Sequence, residues 1–282
     1  MKYAVFTVMM PEYSPEEALR ALRDAGYDGV EWRVTRPNPQ TASGPSYWGY
    51  NRCTIDIATV DQEAPRLARL AREAGLATPA LGTYMGYADL DDIERAMRAA
   101  VELGCPRMRV SPPRYDRAIG YPTLFGQALT GYVAIEKLAR KYGVQVCLEI
   151  HMGNICSSPS LAWKLIHHFD PRYIGAILDP GNMIYEGYED WRLGMEVLGP
   201  YLAHVHIKNS LWRAVGARPT GETEWQAAAA ALDKGIIDFC QFLADLRAVG
   251  YDGWLSFEDF SDSGATLDKL QRNIAYIKSL AP

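Results

Sequence analysis

Cysteine and histidine are both scarce in this chain of 282 residues, with five of each. The cysteines (Cys53, Cys105, Cys147, Cys156 and Cys240) are dispersed, and no two form a C-x-x-C pair. That excludes a paired-cysteine zinc or redox motif. An odd, scattered set suits a reducing cytoplasm better than a disulfide scaffold. A Gly-rich phosphate turn after an early strand is also missing, which argues against a dinucleotide-binding open sheet. There is no run long and apolar enough to cross a bilayer. The N-terminal MKYAVFTVMMPEYSPEE has one basic residue and reads as a first strand rather than a signal peptide. Nor is there an excess of positive charge: 29 basic against 34 acidic residues give −5, which disfavours a nucleic-acid surface.

What is present is an alternation of apolar strands and amphipathic helices. YAVFTVM reads as a strand, followed by SPEEALRALRDAGY, with Ser14 as N-cap, Pro15 at the first helical position, Glu17 closing a capping box and Gly26 near the stop. DGVEWRV, ATPALGTYM, PRMRVSPP, VQVCLEIHMGN, YIGAILDP, LAHVHIKN and DGWLSFEDF supply seven more strands, and helical patterns separate them. Two long segments, residues 35–59 and 210–234, interrupt the rhythm. AGYDGVEW near the start recurs as VGYDGWLSFE near the end, a weak internal repeat. Strands alternating with helices imply parallel pairing, and about eight such units in roughly 250 residues match a (β/α)8 barrel. The expected fold is therefore α/β, a single (β/α)8 TIM barrel forming one domain over residues 1–282.

Several strands end in charge. VQVCLEIHMGN finishes in Glu149 and His151, AILDPGN in Asp179, AHVHIKN in His204 and His206, and WLSFEDF in Glu258. A charge at the end of a buried strand needs a partner. In a barrel all C-terminal strand ends point to one face, so Glu149, Asp179, His206 and Glu258 are expected to converge there. Three carboxylates in one dry pocket call for a cation. Hard oxygen ligands plus one imidazole suit a single divalent ion, Mn²⁺ first, with Mg²⁺, Co²⁺ or Zn²⁺ as alternatives. Plainer alternatives stand beside this. Asp179 in DPGN also reads as a turn former, and Glu258 as half of an ordinary ion pair. His204 and His206 share one strand face, so one is a candidate ligand and the other a neighbouring or substrate contact. His167 and His168 close a helix and read as surface residues. Trp32 and Arg33 at the end of the second strand, Tyr47, Trp48 and Tyr50 after it, Arg109, Arg114 and Tyr115 after the fourth, and Trp212, Arg213 and Arg218 after the seventh are candidate pocket residues.

LEIHMGN, LDPGNM, HVHIKN and the terminal GYDGWLSFE, with GYDGVEW after the first helix, resemble the sugar phosphate isomerase/epimerase family, the xylose-isomerase-like TIM barrel superfamily. The resemblance runs over most of the chain. It implies that Glu149, Asp179, His206 and Glu258 hold the metal, and that Glu149 and Glu258 are the catalytic acid/base pair. It also implies that His151 and Lys208 touch substrate; Asn209 stands where relatives often carry Asp. The expected function is a divalent-metal-dependent isomerase or epimerase of a ketose or related polyol, working through a metal-stabilised enediolate. The alternatives are a dehydratase of a keto-inositol or dehydroshikimate-like acid, or a non-catalytic barrel subunit. A phosphodiesterase of the DNA-repair branch needs more histidines than this chain offers. The expected partner is a small sugar or polyol, with no nucleic acid and no membrane; a homo-oligomer is compatible. Substrate contacts are expected from His151, Lys208, His204, Arg109, Trp32 and Arg213.

Overall fold

In the computed structural model, which describes residues 1–40 and 42–280, the first helix forms as its sequence dictates. It runs Pro15–Ala25 (α1) behind the strand Lys2–Phe6 (β1). Ser14 and Glu17 complete the capping box, and Gly26 ends the helix at φ +84°, a left-handed conformation that costs glycine little. The chain continues through Gly29–Thr35 (β2), the two-residue Ile55–Asp56 (β3), Val60–Glu73 (α2), Leu81–Thr83 (β4), Leu90–Glu102 (α3), Arg107–Arg109 (β5) and Tyr121–Tyr142 (α4). Then follow Gln145–Glu149 (β6), Pro159–Ile166 (α5), Ile174–Leu178 (β7), Pro180–Tyr185 (α6), Trp191–Leu198 (α7) and Leu202–Ile207 (β8). Asn209–Ala217 (β9), Thr223–Ala230 (β10), Phe239–Ala248 (α8), Trp254–Phe257 (β11) and Thr266–Ser279 (α9) complete it.

Eight strands pair in parallel in the order β1, β2, β4, β5, β6, β7, β8, β11, and β11 pairs back onto β1. The sheet is thus closed, a (β/α)8 barrel, with β3 added alongside the end of β2. Two expectations need correcting at their edges. The first strand stops at Phe6, and Thr7–Met9 form a 3₁₀ turn. The segment 210–234 is not a plain loop: β9 and β10 pair antiparallel as a long hairpin, with Ala217 opposite Thr223 and Gly221 at φ +96° in the turn.

Alternation along each strand divides the molecule into two interiors. Val30, Trp32, Val34, Met108, Val146, Leu148, Val205 and Ile207 face outward and form the apolar core with the helices. Their neighbours point into the barrel, and many are polar: Glu31 and Arg33, Arg109, Glu149, His204 and His206, all buried. Phe6 fills the space among them, with its ring 5.9 Å from that of His206. Gly82 makes room for it, since a Cβ there would sit 2.1 Å from the Phe6 ring. Among the described residues, no helix is long and apolar enough to cross a membrane.

Candidate metal centre at the mouth of the barrel

The parallel strands carry four side chains to one point. Glu149 ends β6, Asp179 follows β7, His206 lies near the end of β8 and Glu258 follows β11. Each offers one ligand atom, and these atoms all lie within 4.8 Å of one another. His206 Nδ1 is 3.1 Å from Glu149 Oε1, 3.6 Å from Glu258 Oε1 and 3.8 Å from Asp179 Oδ2. All four residues are buried. Asp179 also has a local structural role: Pro180 occupies the first turn of α6, and Asp179 caps that helix by accepting from the Asn182 amide at 2.9 Å.

Two cations hold the carboxylates. Lys208 Nζ lies 2.6 Å from Asp179 Oδ2 and 2.7 Å from Glu258 Oε2. Arg109 Nη1 donates to Glu149 Oε2 at 2.5 Å, and its Nε donates to the Thr83 carbonyl at 2.8 Å. Glu258 is therefore half of an ion pair as well as a candidate ligand. Asn182 Nδ2 lies within hydrogen-bonding range of Glu149 Oε1 (3.2 Å) and Asp179 Oδ2 (2.9 Å), so the amide bridges two candidate ligands. Burial pushes the Glu149 carboxyl up, but Arg109, His206 and His151 outweigh it and hold the group well below the ordinary carboxylate range. Burial pulls His206 down, yet Glu31, Glu258, Asp179 and Glu149 raise it well above an ordinary imidazole. Lys208 is desolvated and still raised, by Asp179 and Glu258.

Beneath the four lies a residue that sequence reasoning missed. Glu31, on β2, is fully buried, with Oε2 3.0 Å from His204 Nε2 and Oε1 3.4 Å from His206 Nε2. Burial raises this carboxyl as well, but His206 and His204 bring it well below its ordinary range, while burial lowers His204. A charge inside the apolar run VEWRV was the available signal, set within the strand rather than at its end as in Glu149.

Above the cluster opens a cavity of about 600 Å³. Arg109, Glu149, His151, Lys208 and Glu258 line it, with Trp48, Tyr84, Arg114, Tyr185 and Phe260 around the wall. Trp48 packs on Phe260 with ring centroids 4.8 Å apart, and Tyr84 lies 4.5 Å beneath the Arg109 guanidinium. Three expected substrate contacts lie elsewhere. Trp32 is fully buried in the outer core, because its parity on β2 is opposite to that of Glu31 and Arg33. His204 is fully buried below the cavity against Glu31. Arg213 is exposed on β9 and does not line the cavity. Asn209 is buried at the base of the hairpin, where Nδ2 donates to the Leu232 carbonyl at 2.8 Å and Oδ1 accepts from the Ser210 and Ile237 amides.

A closed barrel with this cluster at its mouth matches one family model over residues 19–280, that of the xylose isomerase-like TIM barrel. The chain belongs to that family. Among curated relatives, an inosose dehydratase of Histophilus somni is 27% identical over 217 residues, covering 71% of each chain. Further inosose dehydratases from Geobacillus and Bacillus align over only 44–46% of their own length. Among solved structures, a 3-keto-D-glucoside 4-epimerase from E. coli superposes with a TM-score of 0.74 over 99% of both chains, at 17% identity. A family protein from Mycobacterium smegmatis, solved in complex with magnesium, gives 0.71 over 99% of this chain and 96% of its own, also at 17% identity. Identities this low show a shared fold and no more.

The donor set suits a hard divalent ion: three carboxylates and one imidazole, buried and converging on one point. Glu149, Asp179, His206 through Nδ1, and Glu258 are the residues that would hold it.

Proposed function

We propose that the chain is a divalent-metal-dependent enzyme that removes a proton from the carbon beside a carbonyl of a keto-sugar or keto-polyol. The convergence of Glu149, Asp179, His206 and Glu258 at the floor of a 600 Å³ cavity carries this reading. A divalent ion held by Glu149, Asp179, His206 and Glu258 would supply Lewis-acid polarisation of the carbonyl and positive charge against the anion that proton loss leaves. Glu149 and Glu258 are the bases available at the floor. Arg109 holds Glu149 in place and keeps it ionised. Lys208 reaches Glu258 and also lines the cavity, which supports a role for its ammonium in holding a substrate oxygen. His151 lines the wall beside Glu149, and the Trp48–Phe260 pair gives the sugar an apolar face.

Returning the proton, to the other face or to the neighbouring carbon, makes the enzyme an epimerase or isomerase of a ketose or related polyol. Two carboxylates at one floor favour that outcome. Expelling a β-hydroxyl instead makes it a dehydratase, and the likeness to inosose dehydratase over 71% of the chain favours this second reading. Lys208 would then be the proton donor to the leaving hydroxyl. The deciding experiment incubates the Mn²⁺-loaded protein with open-chain ketoses and cyclic keto-polyols in D₂O. Solvent deuterium on a skeleton that has lost no water identifies the isomerase or epimerase; loss of water identifies the dehydratase. A folded protein that takes up no Mn²⁺, Mg²⁺, Co²⁺ or Zn²⁺ refutes the metal-dependent reading altogether.

A further inference from the structure

Behind the aromatic wall of the cavity lies a buried lysine. Lys269, near the start of α9, is 2% exposed. Its ammonium donates to the Tyr47 hydroxyl at 2.9 Å, to the Asp259 carbonyl at 3.5 Å and to the Ser261 carbonyl. Three donors thus meet three acceptors. Among the described residues no carboxylate pairs with this ammonium, and the side chain of neighbouring Asp259 is taken up by Ser261, Asn273 and Arg272. Burying an ammonium is costly, and a cation at the start of a helix opposes the helix dipole. An apolar residue would fill this position more cheaply if packing were its whole purpose.

The three acceptors share one feature. Asp259 and Ser261 flank Phe260 in sequence, and Tyr47 precedes Trp48. Trp48 and Phe260 are the pair that lines the cavity, and Tyr47 packs against both, with ring centroids 5.7 Å from Trp48 and 5.2 Å from Phe260. Tyr47 and Lys269 are not among the described residues that line it. Within its own stretch of chain this wall is tied only locally: Asn51 Nδ2 donates to the Tyr47 carbonyl at 3.3 Å, and Asn38 Nδ2 to the Trp48 carbonyl at 2.9 Å. Among the described hydrogen bonds of Tyr47 and Trp48, the one that crosses to the far end of the chain is the bond to Lys269, 222 residues away. A lysine that merely steadied the turn after β11 would need the two carbonyls and not the Tyr47 hydroxyl. The wall also meets the floor, since Lys208 Nζ lies 5.5 Å from the centre of the Phe260 ring.

We infer that Lys269 is a positioning residue for substrate binding: a three-point clamp behind the cavity wall, it seats Trp48 on Phe260 so that the pair is a ready-made stacking face for the C–H side of a sugar or polyol. This rests on the keto-sugar reading given above. A wall that is already ordered spares the bound sugar the entropy of ordering it, which is how a residue outside the cavity comes to influence affinity.

The test has two arms and two variants, Lys269→Met and Tyr47→Phe. The second removes a single oxygen that does not line the cavity and keeps the aromatic ring. The first arm needs no substrate. Acrylamide quenching of Trp48, taken as the difference between each protein and its Trp48→Phe counterpart, is expected to rise in both variants, by up to roughly 1.7-fold for a residue going from 57% to full exposure. In the second arm, calorimetry measures binding of D-fructose, an open-chain ketose, and of 2-keto-myo-inositol, a cyclic keto-polyol, to the Mn²⁺-loaded protein. For a sugar that binds wild type, each variant is expected to weaken binding roughly threefold or more, and to make less than about a 1.5-fold difference once Trp48→Ala is present. A residue that only steadied the fold would lose the same factor with or without Trp48. Unchanged quenching in Tyr47→Phe overturns the clamp, and an equal loss in the two backgrounds overturns its action through Trp48. If neither sugar binds wild type, the keto-sugar reading and the stacking role fall together, while the quenching arm still judges the clamp. Should Lys269→Met not fold, Tyr47→Phe decides by the same criteria.

Discussion

Replacing Glu149 by Gln is the obvious way to remove a catalytic carboxylate, but the structure predicts that it will also weaken the fold. The Arg109 and Glu149 side chains are 7% and 5% exposed and meet at 2.5 Å. Among the described residues Arg109 has no second carboxylate in its hydrogen bonds; its Nε goes to the Thr83 carbonyl and its face to Tyr84. Two effects oppose each other in the variant. Removing one acid relieves repulsion from Asp179 and Glu258, yet it leaves a guanidinium buried without its counterion. The Glu149 carboxyl is held well below its ordinary range despite burial, so attraction outweighs repulsion plus desolvation and the net change destabilises.

Breaking a buried pair costs about 3–5 kcal/mol, and since Gln can still accept one hydrogen bond, we expect about 3 kcal/mol. At roughly 2–3 °C per kcal/mol for a domain of this size, the thermal midpoint should fall by roughly 6–9 °C. The measurement is urea and thermal unfolding at pH 7 in the presence of chelator, for wild type, Glu149→Gln, Arg109→Met and the double variant. The double variant should recover about 2 kcal/mol relative to the sum of the single ones. Acid tests the sign. A depressed carboxylate stabilises above its unfolded value of about 4.3 and loses that contribution as pH falls through the folded value, so the gap between wild type and Glu149→Gln should narrow below about pH 4. An additive cycle, or a Glu149→Gln protein within about 0.5 kcal/mol of wild type at pH 7, would falsify the reasoning.

Three further outcomes are expected. The raised His206 imidazole keeps its proton at neutral pH, so Mn²⁺ binding should release about one proton, and affinity should climb about tenfold per pH unit below the His206 value; calorimetry in two buffers that releases no proton contradicts this. Gly82→Ala should cost about 1–3 kcal/mol or more, because its Cβ meets the Phe6 ring, and Phe6→Leu in the same chain should return part of the loss; a neutral Gly82→Ala in urea unfolding disproves the clash. Asn209→Asp should cost about 1–3 kcal/mol by replacing the donor to the Leu232 carbonyl with a buried charge, measured by the same unfolding curves; equal stability would show that the hairpin base tolerates either residue.

The barrel was legible because its signals are local. Capping of α1, the alternation of strand and helix, and charges closing apolar runs all follow from the backbone and from neighbours in sequence. The four converging residues were legible for the same reason, once parallel strands were inferred. Glu31 escaped because attention fell on strand ends and it sits deeper, within β2. Trp32 was misplaced because its neighbours, not its own face, suggested the pocket; parity along the strand would have turned it outward. The pairings of Arg109 with Glu149 and of Lys208 with Glu258 join residues 40 and 50 apart in sequence, and no local pattern encodes them. The hairpin was hidden because both its strands are largely exposed, so neither carries a one-sided apolar alternation.

The two interiors of the barrel have a consequence for how this chain tolerates change. Outward residues such as Val30, Trp32 and Val34 serve the apolar shell, while Glu31 and Arg33 between them point into the barrel. A saturation scan along β2 should therefore give a two-residue beat: hydrophobic swaps accepted at one set of positions, and loss of activity without loss of protein at much of the other. The ionic pair through Glu149 breaks that beat on β6, where one position answers to both demands. A designer could rewrite the inward set for a new substrate while leaving the outward set alone, provided the replacement at Glu149 brings its own partner for Arg109.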